Sequence, residues 1–194
     1  ALLGKLLVRR LDNKGVKVDK IFLNSGNKQL FTPSIYLIGK IVETEAYYGK
    51  NDPASRAFTT PKMASQMWNE GGKTFVYMVH NNWLLNIVSG EKGIPSAVLI
   101  RAVEPIEGEK IMKLNRKKDG FLMTNGPGKL AQALGITKSD NDIEVYDKRS
   151  NLMIAESGAS DSFNIISSHR IGVSRDLKRK LRFYIKDNKW VSKR

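Results

Sequence analysis

The chain has 194 residues and a formal net charge of +14, with 33 Lys and Arg against 19 Asp and Glu, two His and no Cys. The lack of Cys excludes a disulfide framework, a thiolate nucleophile, a Cys-ligated zinc and an iron–sulfur cluster, and no apolar run approaches the ~18 residues of a membrane span. A composition of 41% hydrophobic and 27% charged residues is that of an ordinary globular protein, and a chain of this size buries about 70% of its unfolded surface.

Neither internal repeat nor Pro/Gly/Ser linker divides the sequence, so residues 1–194 read as a single domain. Strand-like runs dominate the first half: Leu6–Leu11, Lys20–Leu23, Ile35–Tyr47, Thr74–Val79 and Ala97–Val103 are rich in β-branched, aromatic and aliphatic residues. Asp12-Asn13-Lys14-Gly15 and Asn24-Ser25-Gly26-Asn27 carry the composition of hairpin turns. Helices are fewer. Lys62–Trp68 predicts two turns stopped by Gly71-Gly72. Gly108–Lys118 opens with Glu109 and closes on basic residues, the order the helix dipole favours. Lys129–Leu134 follows Pro127-Gly128 and ends at Gly135, a C-terminal cap. Weak periodicity over Lys138–Asn164 suggests short strands and loops. The fold class is mixed α+β, a curved and mainly antiparallel β-sheet flanked by helices.

The positive charge is unevenly spread. Between His169 and Arg194 ten Lys and Arg face only Asp176 and Asp187, and Lys110, Lys113, Arg116, Lys117 and Lys118 form a second cluster. A generally solvated Lys-rich surface explains this, and so does a face that binds phosphates by counterion release. His80 and His169 are far apart, and His80 is followed by Asn81-Asn82 rather than a carboxylate, so no metal or cofactor is expected. A signal peptide is missing; the chain opens on Ala1, compatible with a segment removed upstream.

Chemistry concentrates in Ile41-Val42-Glu43-Thr44-Glu45-Ala46-Tyr47-Tyr48, where two carboxylates interrupt an apolar, aromatic strand. Alternation puts Glu43, Glu45 and Tyr47 on one face. Such a face suits a pocket, with a ring as stacking floor and a carboxylate as base; an edge strand with two exposed Glu is the plainer alternative. Tyr77 alternates with Phe75 and Val79 and offers a second ring. Arg101 interrupts the aliphatic run at 97–103 and must reach solvent or be paired, with Glu43 and Glu45 as its natural partners. It then either orients a carboxylate base or forms an inert ion pair. Asn125-Gly126-Pro127-Gly128-Lys129 could cradle a phosphate, and a turn with a cap explains it equally well.

At these residues the chain resembles the alkyladenine DNA glycosylase family, the mammalian-type 3-methyladenine DNA glycosylases. The resemblance is carried by Leu2–Arg9, Gly39–Tyr47 (GKIVETEAY), Asp52-Pro53-Ala54-Ser55, Val98–Pro105 (VLIRAVEP), Asn125–Leu134 (NGPGKLAQAL), Arg170-Ile171-Gly172, Leu181–Lys186 and Trp190-Val191-Ser192. It implies a base-excision repair enzyme that flips an alkylated purine, 3-methyladenine or 7-methylguanine, from double-stranded DNA. The N-glycosidic bond is then hydrolysed without a lyase step. Glu45 would activate the water and Arg101 orient Glu45. Tyr47 and Tyr77 would sandwich the base, whose positive charge favours electron-rich rings. Asn86 would crowd the exocyclic amine of guanine, and Gly128 and Lys129 would contact the DNA backbone. A monomer at DNA, in a nucleus or a nucleoid, is expected.

Three departures alter those expectations. The family usually carries a base-pocket His after Asp-Pro-Ala-Ser, where this chain has Arg56, which the resemblance makes a base-pocket candidate. Uncharged lesions such as hypoxanthine and ethenoadenine are then expected to be handled poorly, and Arg56 to point towards solvent or phosphate. In place of the family's intercalating Tyr stand His80 and Asn81, the candidate wedge residues. About twenty residues around Lys17–Ser34 exceed the family's compact hairpin and have no functional account. Two other readings remain open: a catalytically weakened nucleic-acid-binding module on the same fold, and an RNA-associated domain of the formyltransferase C-terminal type.

Overall fold

The computed structural model describes residues 2–11, 34–158 and 162–193. The predicted strand Lys20–Leu23, the turns at Asp12–Gly15 and Asn24–Asn27, and all of the Lys17–Ser34 insertion except its last residue lie outside them. Two strands keep the bounds set by their residue pattern, β1 at Leu6–Leu11 and β3 at Thr74–Val79. The long central strand β2 covers Ile35–Tyr48, and β5 extends to Ser96–Glu107 because its second half continues to pair with β2 at Ile38–Lys40. Between β3 and β5 runs β4 at Asn82–Val88, which the sequence pattern did not mark as a strand. Three four-residue strands complete the set: β6 Leu152–Ala155, β7 Ile165–Ser168 and β8 Arg182–Ile185.

These strands form one antiparallel sheet in the order β3-β4-β5-β2-β1-β6, with β8 pairing β2 and β7 pairing β8. One edge of β2 is divided: residues 35–40 pair β1, and residues 43–45 pair β8. That division curls the sheet and brings the C-terminal residues against the Glu-rich half of β2. Register shifts between Ile41 and Glu43 and between Glu43 and Thr44 leave Arg101 between the pairs that β5 makes through Ala102 and Ile100. A bulge of this kind re-aims a side chain.

Among the described residues three α-helices flank the sheet. The single turn α1, Arg56–Thr59, is unmarked by periodicity and rests on its cap, the Ser55 side chain accepting from Ala57 N. Helix α2 covers Glu109–Arg116. Helix α3, Pro127–Ala133, starts two residues before the predicted Lys129, because proline is at home in the first helical turn, where its missing N–H costs nothing. Gly135 follows it at φ +63, the left-handed cap conformation. The helix expected over Lys62–Trp68 contracts to a 3-10 turn at Ser65–Trp68: no side chain caps its start, and Met63 is exposed rather than packed. Leu7, Leu37, Ile41, Leu85, Ile100, Met112, Leu130 and Leu134 join the sheet to α2 and α3 in one buried cluster, each contributing roughly 1.5–3 kcal/mol through burial. Among the described residues no helix is long and apolar enough to cross a membrane.

Candidate active site

Glu43 and Glu45 are both fully buried on β2. Charges removed from water need partners of opposite sign, and β5 supplies the first. Arg101 donates from Nε to Glu43 Oε1 at 3.0 Å and from Nη1 to Glu45 Oε2 at 3.1 Å, so one guanidinium spans both carboxylates. A second cation comes from β8, where Arg182 Nε donates to Glu43 Oε1 at 2.7 Å. The C-terminal segment closes the network: Ser192 donates its backbone N–H to Glu43 Oε2 at 2.6 Å and its hydroxyl to Glu43 Oε1 at 2.8 Å. Glu45 accepts in addition from the Tyr47 hydroxyl at 2.8 Å and from Ile171 N at 2.7 Å. A carboxylate has about four acceptor positions; Arg101, Tyr47 and Ile171 take three of them and leave one on Oε1.

Burial pushes the Tyr47 hydroxyl well above its ordinary range and the neighbouring Glu45 adds to that, so Tyr47 stays a donor at neutral pH. Behind its ring, 4.5 Å from the centroid, lies the buried Arg170 guanidinium. Arg170 is bidentate on Asp52 at 2.7 and 2.8 Å, and it donates to Asp176 at 2.7 and 2.9 Å and to the Ala46 carbonyl at 3.0 Å. Burial alone would depress this guanidinium, and the two carboxylates outweigh it. Asp52 also accepts from Ala54 N at 3.1 Å, which fixes the turn that leads into α1. Opposite, Tyr77 stacks on Phe75 with centroids 4.9 Å apart. Burial raises its hydroxyl too, and the Arg56 guanidinium works against that rise.

Above this floor opens a cleft of about 710 Å³. Tyr47, Tyr77, Leu84, Leu99 and Arg101 line it from the sheet side, Arg56 from α1, and His80, Gly128, Lys129 and Ile171 from the rim. Glu45 lies directly beneath, bonded to three of the lining residues. A second cleft of the same volume, lined by Tyr48, Trp68, Ile94 and Leu177, holds none of the predicted site residues. Among the described residues no group of His, Cys, Asp and Glu could hold a metal ion.

The model of the methylpurine-DNA glycosylase family matches residues 28–189. The chain belongs to that family. Relatives provisionally named 3-methyladenine DNA glycosylases include one from Francisella tularensis subsp. tularensis strain WY96-3418, 42% identical over 162 residues covering 81% of this chain and 83% of the relative. Another, from Clostridium novyi strain NT, is 41% identical over 173 residues, covering 81% and 84%. A third, from Clostridium perfringens strain SM101, is 35% identical over 210 residues and spans all of this chain and 91% of the relative. The protein is a methylpurine-DNA glycosylase, a hydrolase of base excision repair that acts on DNA.

In this glycosylase the candidate wedge residues form the tip of the β3–β4 hairpin. His80 and Asn81 are exposed, with φ of 45° and 61°, between the paired Val79 and Asn82. Two successive left-handed residues make the tight turn whose twist matches that of the strands. The tip overhangs the cleft and is braced from α3: a Cβ on Gly128 would stand 2.7 Å from Asn82 Cβ, so only glycine allows this approach. Lys129 Nζ donates to Asn125 Oδ1 at 2.8 Å, and burial lowers its amine below the ordinary lysine range.

Asn86 is buried at the level of Glu45. Glu45, Leu99, Asn86 and Phe75 are successive cross-strand partners, and directly paired residues share a face. The Asn86 amide donates to the Phe75 carbonyl at 3.1 Å, and the cleft is lined not by Asn86 but by Leu84 of the same strand. Arg56, a base-pocket candidate from the sequence, lines the cleft; it differs only in direction, its guanidinium lying 5.2 Å from the Tyr77 centroid rather than turned to solvent or phosphate. The capped start of α1 sets its Cα at the cleft edge and the Tyr77 ring attracts the cation. The sequence reading assigned no role to Arg170, Asp52, Asp176, Arg182 and Ser192, although all but Asp176 fall in the segments that carried the family resemblance.

Proposed function

We propose that this glycosylase everts an alkylated purine, 3-methyladenine or 7-methylguanine, from duplex DNA into the cleft and hydrolyses its N-glycosidic bond with water activated by Glu45. One observation supports this best: a carboxylate oriented by Arg101, Tyr47 and Ile171 beneath an aromatic cleft, with one acceptor position left. That position would take a water proton while the water oxygen attacks C1′. The bonding pair of the breaking bond goes to the base nitrogen, so a cationic N-alkylpurine leaves neutral. The rings of Tyr47 and Tyr77 would hold the base, and His80 or Asn81 would fill the gap in the stack. Gly128 and Lys129 would meet the DNA backbone. Asn86 would act against unmodified guanine from behind Leu99.

The reaction has no lyase step in this reading. Among the described residues Lys129 is the one lysine lining the cleft, and it is held by Asn125 rather than poised as a nucleophile. The protein would work as a monomer, wherever the cell keeps its DNA. The test is incubation with methylated duplex DNA. Free 3-methyladenine and an intact strand carrying an alkali-labile abasic site are expected. No released base would overturn the assignment, and strand cleavage without alkali would overturn the monofunctional step.

A further inference from the structure

The geometry points to Arg56 as the residue that narrows the advantage of cationic alkylpurines in this cleft and admits neutral 6-oxopurines beside them; the inference rests on the glycosylase reaction proposed for the same site. Arg56 is fixed at its root. Ser55, fully buried, caps α1, and the preceding turn is anchored through Asp52 to Arg170. From there the guanidinium reaches into the cleft over Tyr77. The other two guanidiniums around the cleft are committed, Arg101 to Glu43 and Glu45 and Arg170 to Asp52 and Asp176. Among the described residues Arg56 has no carboxylate within ion-pair distance. One donor is drawn to the Tyr77 hydroxyl, and the charge and the remaining donors face whatever enters.

A guanidinium is permanently charged and donates without accepting. Its fork fits a purine edge that offers two acceptors, such as O6 and N7 of a 6-oxopurine like hypoxanthine. Adenine presents its exocyclic amine beside N7 and sets donor against donor. Methylation at N7 removes an acceptor and adds a positive charge that Arg56 repels. With Arg56 already over Tyr77, that ring's electron-rich face is also less available to a cationic base. Guanine shares the O6/N7 edge, so its exclusion falls to its 2-amino group, the role proposed for Asn86. The shift runs opposite to the one expected for an Arg56 turned away from the base.

Single-turnover excision from duplexes carrying one hypoxanthine or one 7-methylguanine, by the wild-type chain and by Arg56→Gln, tests the inference. The hypoxanthine-to-7-methylguanine rate ratio should fall at least about tenfold in the variant, since charge repulsion at a few ångströms near a protein surface is of that size or larger. Arg56→Lys, which keeps the charge and loses the fork, should still disfavour 7-methylguanine while losing rate on hypoxanthine. Loss of folded enzyme slows both substrates alike and leaves the ratio in place, so the ratio reports specificity alone. An unchanged ratio, or an equal loss on both substrates with a shallower salt dependence, would overturn the inference and place Arg56 on phosphate. A wild-type chain that releases neither base overturns the proposed function itself.

Discussion

Beneath the cleft, Glu43 and Glu45 are fully buried and held by guanidiniums from two strands, by a tyrosine and by backbone and serine donors from the C-terminal quarter of the chain. At the rim, His80 and Asn81 are exposed and held by a two-residue turn, with Asn82 Nδ2 donating to the His80 carbonyl at 2.8 Å and Gly128 pressed against Asn82. The contrast teaches where each kind of residue change acts. In the floor every charge is the partner of another, so stability and chemistry fail together. At the rim a side chain can change while the fold stands, and in the proposed reaction the effect would fall on how DNA is deformed and gripped.

Breaking the floor gives the largest effect. Arg101→Met leaves two buried carboxylates with one guanidinium, and removing one partner of a buried ion pair costs roughly 3–5 kcal/mol. Urea or thermal unfolding should show a loss of that order together with lost base release; a change under about 1 kcal/mol would mean that the network does not hold the floor. Gly128→Ala tests the junction between floor and rim. Its new Cβ would press on Asn82, a strain of about 1–3 kcal/mol, and excision should fall more than stability because the hairpin tip is displaced. At the rim itself, the double change His80→Gly, Asn81→Gly, which suits the left-handed turn, should slow excision from duplex DNA by about tenfold, the scale set by a kcal/mol or two of unstacking, and leave excision from single strands and the unfolding midpoint nearly unchanged. Equal slowing on both substrates would remove the tip as the wedge. The smallest effect belongs to Lys129→Gln, which should lower the slope of log affinity against log salt by about 1 with little change in the rate from bound complex. An unaltered slope would take Lys129 off the backbone.

The sequence carries the local parts of this architecture. Period-two alternation places Glu43, Glu45 and Tyr47 on one face, and the Pro-Gly start and Gly135 end of α3 can be read directly. What it hides is non-local. Arg170 meets Asp52 across 118 positions, Arg182 meets Glu43 across 139, and Ser192 meets Glu43 across 149; no periodicity encodes such partners. The short strand β8 pairs with the divided edge of β2 and β7 pairs in turn with β8, so their own four residues say little. Lys62–Trp68 misled in the other direction, helical in composition yet lacking a cap and a packed face. The orientation of Arg56 depends on a ring 21 positions away, which its own neighbours do not reveal.

Glu45→Gln tests the account most directly. The amide keeps the shape of the carboxylate and its oxygen can still accept from Arg101 and Tyr47, so the floor stays folded while the base is lost. Single-turnover release of 3-methyladenine should drop by about 10²–10⁴, with affinity for the same duplex within a few-fold of wild type. Release at an undiminished rate by a folded, DNA-binding Glu45→Gln chain would contradict the central claim that Glu45 activates the attacking water.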